Sequence, residues 1–335
     1  MRIALDAMGG DAAPEITVAG AVRAARELRH DIVLVGRQPA LEQELERHKP
    51  VPKNVEIHHA EDVIGMDEPP VASVRRKRDA SINVAIQLVK DRAVAAAISA
   101  GNTGAMVSAA TLTLGLLPGI ERPGIGILLP GLKQETFVID VGANIDPKPT
   151  HLLQYALMGD AYVTNLLGRA HARVGLLNVG TEESKGTEFM KETHRLLVES
   201  PLNFVGNVEG HNLYTGELDV IVCDGFVGNV ALKASESMAD AISHALKRAL
   251  SKSFITRLGA WLSHDAFVAL RKEIDYAEYG GAPLLGVDGV AIIAHGASSA
   301  KAIKNALRVA VDVVERDVNR HIMESVSAWQ RAGKT

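Results

Sequence analysis

The chain has 335 residues, 47% of them hydrophobic and 23% charged, which excludes a disordered chain and leaves room for one large α/β domain or two smaller ones. Its 36 Lys and Arg against 40 Asp and Glu give a net charge of −4, which argues against a dedicated nucleic-acid binder. A single cysteine excludes a disulfide framework or a Cys-rich zinc site and fits a reducing compartment.

No apolar run reaches the roughly 20 residues that a membrane-spanning helix needs. The opening MRIALDAMGG turns acidic too soon for a signal peptide, so the expected setting is the cytoplasm. In chain order, residues 2–7 read as a strand, MGGD as a loop and 14–30 as a helix. A strand at 31–36, a helix near 39–48 and a strand at 55–60 follow, then a helix at 80–91 and a strand at 93–100. After the loop Gly101-Asn102-Thr103-Gly104 comes a helix over about 105–115, and further strands are expected at 124–130, 136–141, 173–179, 203–206, 219–224 and 289–295. Strands apolar throughout that alternate with helices imply a mostly parallel sheet covered on both faces, a three-layer α/β/α fold. With no linker or repeat, residues 1–335 read as a single α/β domain. Residues 230–275 break the rhythm as a helical excursion long enough for two projecting helices, and the stretch after His321 reads as frayed.

Ligands of open parallel sheets bind beyond the carboxyl ends of the strands. Six Gly-, Asn- and Asp-rich loops are expected to gather there: residues 6–11, 99–105, 140–144, 178–186, 224–230 and 295–299. Glycines let backbone N–H groups approach an oxyanion, helix N-termini add donors and a favourable dipole, and Lys185 offers a point charge. The plainer reading of any one such loop is a tight turn or a helix cap. P-loop, dinucleotide-fingerprint and nucleophile-elbow motifs are absent, as are H-E-x-x-H and C-x-x-C. Cys223, inside the strand DVIVCD, reads as a buried thiol rather than a nucleophile. His295 ends a buried strand, and the functional and structural readings stand level there; Asp224 reads as orienting carboxylate or helix cap. Without a clear nucleophile, positioning and oxyanion stabilisation are favoured over a covalent intermediate.

Two basic features stand against the acidic total. Arg75-Arg76-Lys77-Arg78 suits an acidic protein, a phosphate chain or simply a solvated helix face. Residues 245–263 carry four cations and no acid, with Leu246, Leu250, Phe254, Leu258, Trp261 and Leu262 on one stripe. That pattern fits an amphipathic helix at a membrane interface, with contact through Phe254, Leu258, Trp261 and Leu262, or a helix packed on a dimer partner.

The ordered segments ALDAMGGD, ISAGNTGA, GIERPG, DVGAN, LLNVGTEESKG, VCDGFVGNVALK, EYGGAPLLG and HGASSAKAI span nearly the whole chain. In them the sequence closely resembles the PlsX-type phosphate acyltransferases, the bacterial acyl-carrier-protein:phosphate acyltransferases. The resemblance implies an isocitrate/isopropylmalate-dehydrogenase-like fold and a homodimer with a projecting helical bundle. It implies transfer of a long-chain acyl group from an acyl-carrier-protein thioester to inorganic phosphate. The acyl phosphate would pass to a membrane glycerol-3-phosphate acyltransferase, with the enzyme peripheral on the inner face of the cell membrane. No cofactor or metal is implied. Carried onto this sequence, the catalytic candidates are Lys185, Asn229 and His295. The phosphate or substrate candidates are Asp6, Gly9, Gly10, Asp11, Gly101, Asn102, Thr103, Gly104, Asn144, Asp224 and Gly228. The alternatives are an NAD-dependent decarboxylating dehydrogenase of the same fold, a non-catalytic phosphate- or lipid-binding module, and a phosphate acetyltransferase using acetyl-CoA.

Overall fold

A computed structural model of the chain describes residues 1–268 and 280–332. The last part of the expected excursion, 269–275, the first two residues of the EYGGAPLLG segment and residues 333–335 lie outside the described residues. The N-terminal part runs β1 (Arg2–Asp6), α1 (Glu15–Leu28), β2 (Asp31–Gly36), α2 (Gln38–Glu46), β3 (Val55–His59), α3 (Pro70–Arg76), α4 (Ser81–Lys90), β4 (Ala96–Ser99) and α5 (Thr103–Thr113). The middle holds β5 (Gly124–Leu129), β6 (Thr136–Ile139), α6 (Pro149–Leu167), β7 (Val174–Leu177), α7 (Glu188–Val198), β8 (Phe204–Val208) and β9 (Val220–Val222). Then come α8 (Gly225–Leu250), α9 (Phe254–Leu262), β10 (Ala282–Leu285), β11 (Ala291–Ile293), α10 (Ala300–Glu315) and α11 (Val318–Ala332).

The eleven strands among the described residues join one sheet in the order β3-β2-β1-β4-β11-β10-β5-β6-β9-β7-β8. Because side chains alternate across a strand, one face presents Ala4, Val33, Ala97, Ile125, Val138 and Ile221 to a single core beneath α4 and α5. The alternate residues feed two cores on the other face. One lies under α1 and α10 around Ile3, Leu34 and Ile303; the other lies under α6 and α11 around Phe137, Tyr155 and Val220. This is the three-layer arrangement expected from the unbroken apolar strands.

Most pairings are parallel, but β10 is antiparallel to both β11 and β5, and β5 is antiparallel to β6. Strands β1–β4 and β11 therefore point one way, and β6–β9 the other. The six loops do not share one edge: those after β1, β4 and β11 leave one edge, those after β6, β7 and β9 the opposite one. The reversal hangs on β10, which the sequence hides in a Gly-Pro segment that reads as loop.

Two further expectations change. Residues 245–263 are not one helix. Ser253 caps α9 by accepting the Thr256 N–H, while Thr256 Oγ1 accepts the Ser253 N–H, and α8 stops at Leu250. Nor is the chain from His321 to Ala332 frayed: Val318, Ile322 and Val326 repeat every four residues, are fully buried and dock α11 on α6. No described helix is long and apolar enough to cross a membrane. From Asn229 to Val268 no residue is buried; Ala231 and Leu232 still pack on the core beneath α5, and the rest of α8 and α9 carry no residue of the three cores.

Replacing Ile322 by Ala removes a fully buried side chain and is expected to cost about 2–5 kcal/mol. Urea unfolding measures it, and an unchanged midpoint would show that α11 is not docked.

Candidate active site

Strands β10 and β11 have only four and three residues, roughly 10–13 Å of rise, so groups from both edges of the sheet reach one another over its centre. There a cavity of about 350 Å³ opens between α5 and α8. Its floor is apolar: Ile125, Ile127, Ala282 and Ile293. Its walls are Thr103 and Gly104 on α5, Gly142 after β6, Asn229, Leu232, Lys233 and Glu236 on α8, and His295 and Ser298 after β11.

Asn102 is the N-cap of α5, and its Oδ1 accepts the Ala105 N–H at 3.0 Å. That cap leaves the Thr103 and Gly104 N–H groups without an intrahelical acceptor, and both residues border the cavity. The Asn102 amide nitrogen is committed elsewhere, to the carbonyls of Gly65, Met66 and Glu68. Asn102 thus ties the loop before α3 to α5, and the donors it leaves for a ligand are those of its two successors.

The Glu68 side chain completes that tie. It accepts Lys77 Nζ at 2.6 Å, Ser73 Oγ at 2.9 Å and the Gly65 N–H at 2.9 Å. Lys77 foremost, then the Gly65 amide and Ser73, hold its pKa down from 4.5 to about 2. Arg76 and Lys77 of the basic run are both ion-paired with Glu68, while Arg75 and Arg78 are exposed.

Behind the cavity, Asp6 is buried and accepts Ser99 Oγ at 2.7 Å and the Met8 N–H at 3.2 Å. Burial is the chief cause of its raised pKa. Gly9 and Gly101 let the loops after β1 and β4 nest: a Cβ on Gly9 would lie 2.7 Å from both the Asp6 carboxylate and the Gly101 nitrogen. Asp11 donates its N–H to the Gly296 carbonyl, and Gly10 lies against the same carbonyl, so the loop after β11 rests on the loop after β1. Asp6, Gly9, Gly10, Asp11 and Gly101 are therefore placed as the frame that holds Thr103 and His295, not as cavity walls.

At the other edge the buried Asp140 carboxylate accepts N–H groups from Ile125, Gly142, Ala143 and Asn144. Burial pushes its pKa up, against the four amides, which favour the charged form. Gly228 packs so tightly on this strand end that a Cβ would lie 2.0 Å from the Asp140 carbonyl oxygen. Asp224 caps α8 through the Val227 N–H, and Asn144 spends its amide on the Pro123 carbonyl and the Tyr155 hydroxyl. These three residues anchor α8 and lie outside the cavity lining. Lys185 is exposed in the loop after β7, pairs with no described residue and does not line the cavity.

Of the sequence candidates, the cavity gathers Thr103, Gly104, Asn229 and His295. Sequence reasoning missed Lys233 and Glu236. The signal was present in VCDGFVGNVALK and the three residues after it: on a helix, Lys233 and Glu236 fall four and seven residues after Asn229, on its face. Lys233 Nζ lies 3.0 Å from His295 Nε2 and 3.0 Å from Glu236 Oε2. The His295 Nδ1 in turn receives the Ala297 N–H at 3.2 Å. An imidazole keeps a proton on at least one nitrogen, so each tautomer satisfies only one of these two donors. Cys223 is buried, gives its S–H to the Asp140 carbonyl and has its pKa pushed up by burial, which keeps it a neutral thiol and no nucleophile.

A cleft with polar walls and an apolar floor, at the centre of the sheet, sits in a three-layer α/β/α fold with a mostly parallel sheet. Solved structures agree on the fold. A phosphotransacetylase from Streptococcus pyogenes superposes with a TM-score of 0.64 at 17% identity, covering 95% of this chain and 94% of that one. A 4-hydroxythreonine-4-phosphate dehydrogenase from Klebsiella pneumoniae gives 0.54 at 12%, covering 94% and 99%. The model of the family described as fatty acid synthesis protein matches residues 1–321. A phosphate acyltransferase from Pelobacter propionicus is 48% identical over 327 residues, 98% of this chain and 94% of the relative. The chain belongs to this phosphate acyltransferase family and is an acyltransferase.

The folded pKa of Glu68 lies below its unfolded value, so its contribution to stability is present above about pH 4.5 and fades as pH falls toward about 2. A Glu68→Gln variant is expected to melt below the wild type at neutral pH, with the Tm gap closing between pH 4.5 and about 2. Melting curves across that range check it.

Proposed function

We propose that this protein transfers a long-chain acyl group from an acyl-carrier-protein thioester to inorganic phosphate, forming an acyl phosphate for phospholipid synthesis. The observation that carries this reading is the cavity itself: N–H donors, Asn229, Lys233 and His295 stand around a strip of Ile side chains. The polar wall suits a phosphate, and the apolar floor suits an alkyl chain.

Phosphate is the nucleophile. One of its oxygens attacks the thioester carbonyl carbon, a C–O bond forms, and the tetrahedral oxyanion collapses as the C–S bond breaks. Hydrogenphosphate enters with one proton and the departing thiolate needs one, so the reaction balances by moving that proton from phosphate to sulfur. His295 stands on the wall as the imidazole for this transfer. The Thr103 and Gly104 amides and Asn229 hold phosphate or the oxyanion, preorganised donors of the kind that stabilise developing charge. Lys185, unpaired at the edge from which α8 starts, supplies charge to a substrate larger than phosphate alone.

The carrier protein is taken as the acidic partner of Arg75 and Arg78, exposed on and just after α3, the helix whose Pro70 packs against Gly104 of the cavity wall. Domain organisation follows the same reading: one α/β unit that pairs as a homodimer through α8. At the far end Phe254, Leu258, Trp261 and Leu262 are exposed, Phe254 to 80% and Trp261 to 73%. With Arg257 among them they form a membrane contact at the inner face of the cell membrane, beside the glycerol-3-phosphate acyltransferase that consumes the product.

The test is release of free carrier-protein thiol from a long-chain acyl-carrier-protein, with and without inorganic phosphate, beside acetyl-CoA as donor. Phosphate-dependent release from the carrier protein, with acyl phosphate recovered, supports the reading; acetyl-CoA as the better donor rejects it. In the same assay Lys185→Ala is expected to lower turnover at least about tenfold with the fold retained. Changing Leu258 and Trp261 to Ser is expected to weaken co-sedimentation with anionic liposomes while turnover in solution persists. Undiminished sedimentation would reject α9 as a lipid contact.

A further inference from the structure

Lys233 is the one Lys or Arg among the described residues that line the cavity. It sits one helical turn beyond Asn229, on the cavity wall, and two acceptors from different elements hold its ammonium. Glu236 reaches it from the next turn of α8, and His295 from the loop after β11. An ammonium has three N–H donors, and these contacts account for two of them. The third finds no acceptor among the described residues. The Lys233 side chain is 51% exposed and that of Glu236 19%, so the carboxylate is the sheltered partner and the ammonium the one offered to the cavity. A half-exposed i, i+3 ion pair contributes little to stability, so fold energetics give no reason to hold a lysine here.

We propose that Lys233 is the cation that binds the phosphate nucleophile, with Glu236 as the positioning residue that keeps its ammonium beside His295. The inference rests on the phosphate-acyltransfer reading given above and adds to it the charge that faces the nucleophile within the cavity. The arrangement places the phosphate-binding cation in hydrogen-bond contact with the imidazole that carries the proton to sulfur. A dianion bound at Lys233 competes with His295 Nε2 for the ammonium's hydrogens and releases the ring to exchange a proton with the substrate.

The experiment uses the full chain and inorganic phosphate as the probe. Calorimetric titration of phosphate into the wild type, without acyl donor, is compared with Lys233→Met, Lys233→Arg and Glu236→Gln. Methionine keeps the length and helix propensity of lysine, so the fold is not at stake, and Tm verifies this. Lys233→Met is expected to weaken the phosphate Kd by about tenfold or more, the factor one charge-assisted hydrogen bond carries. Arginine restores part of the loss, and Glu236→Gln gives an intermediate one. In turnover, KM for phosphate rises in Lys233→Met while KM for the acyl donor stays put, a split that a merely structural role would not produce. A phosphate Kd unchanged in Lys233→Met, beside normal wild-type turnover, overturns the inference and leaves the proposed function standing. A wild type that neither binds phosphate nor needs it for thiol release overturns both.

Discussion

The site depends on a reversal of strand polarity in the middle of the sheet. Had β5 and β10 run with their neighbours, all the loops would leave one edge, and the face between α5 and α8 would be a plain packed core. Three successive antiparallel pairings, β11 with β10, β10 with β5 and β5 with β6, instead turn the second half of the sheet over. The central strands are so short that the opposed edges meet across a few residues. The cavity is the volume that neither half-layer of helices covers, and each half contributes its own chemistry. The β1, β4 and β11 side brings N–H donors and an imidazole; the β6 and β9 side brings an amide, an ammonium and a carboxylate.

Two buried carboxyl groups frame that junction. Asp6 and Asp140 each end a strand bordering the site, and each is desolvated. Isolated, such carboxylates would be costly; here each organises a loop by collecting its donors, hydroxyl and amide for Asp6 and four amides for Asp140. Glycines at the contacts, Gly9 and Gly228, let the backbones close to distances that any side chain would forbid. Much of the polar signature of the sequence is therefore spent on architecture, and the groups facing the ligand are fewer than the motifs suggest.

That division explains what was legible beforehand. Apolar strands alternating with amphipathic helices disclose a covered, mostly parallel sheet, because burial on both faces leaves an unbroken Val/Ile/Ala run. Thr103, Gly104, Asn229 and His295 were legible because loop chemistry at a strand end is local in sequence. Asn102, Asn144, Asp224 and Gly228 carry the same local signature, and only the fold tells that their polar atoms or missing Cβ serve a neighbouring backbone. Lys233 is the reverse case. It sits inside a regular helix, where a lysine reads as a solvated surface charge, and its meaning comes from His295, 62 positions away. The strand Ala282–Leu285 was hidden because Gly-Gly-Ala-Pro reads as loop, and with it went the polarity of the sheet.

The 26 residues of α8 make a stiff rod of about 39 Å. It is gripped at its base by Asp224 and Gly228, and by the Tyr214 hydroxyl on Ser235. Lys233 lies about 12 Å along that rod and Leu250 about 38 Å, at 1.5 Å per residue. Because Lys233 lies between the grip at Asp224 and Gly228 and the grip at Ser235, a sideways load on the far end bends the rod beyond Ser235 and leaves the ammonium held in place.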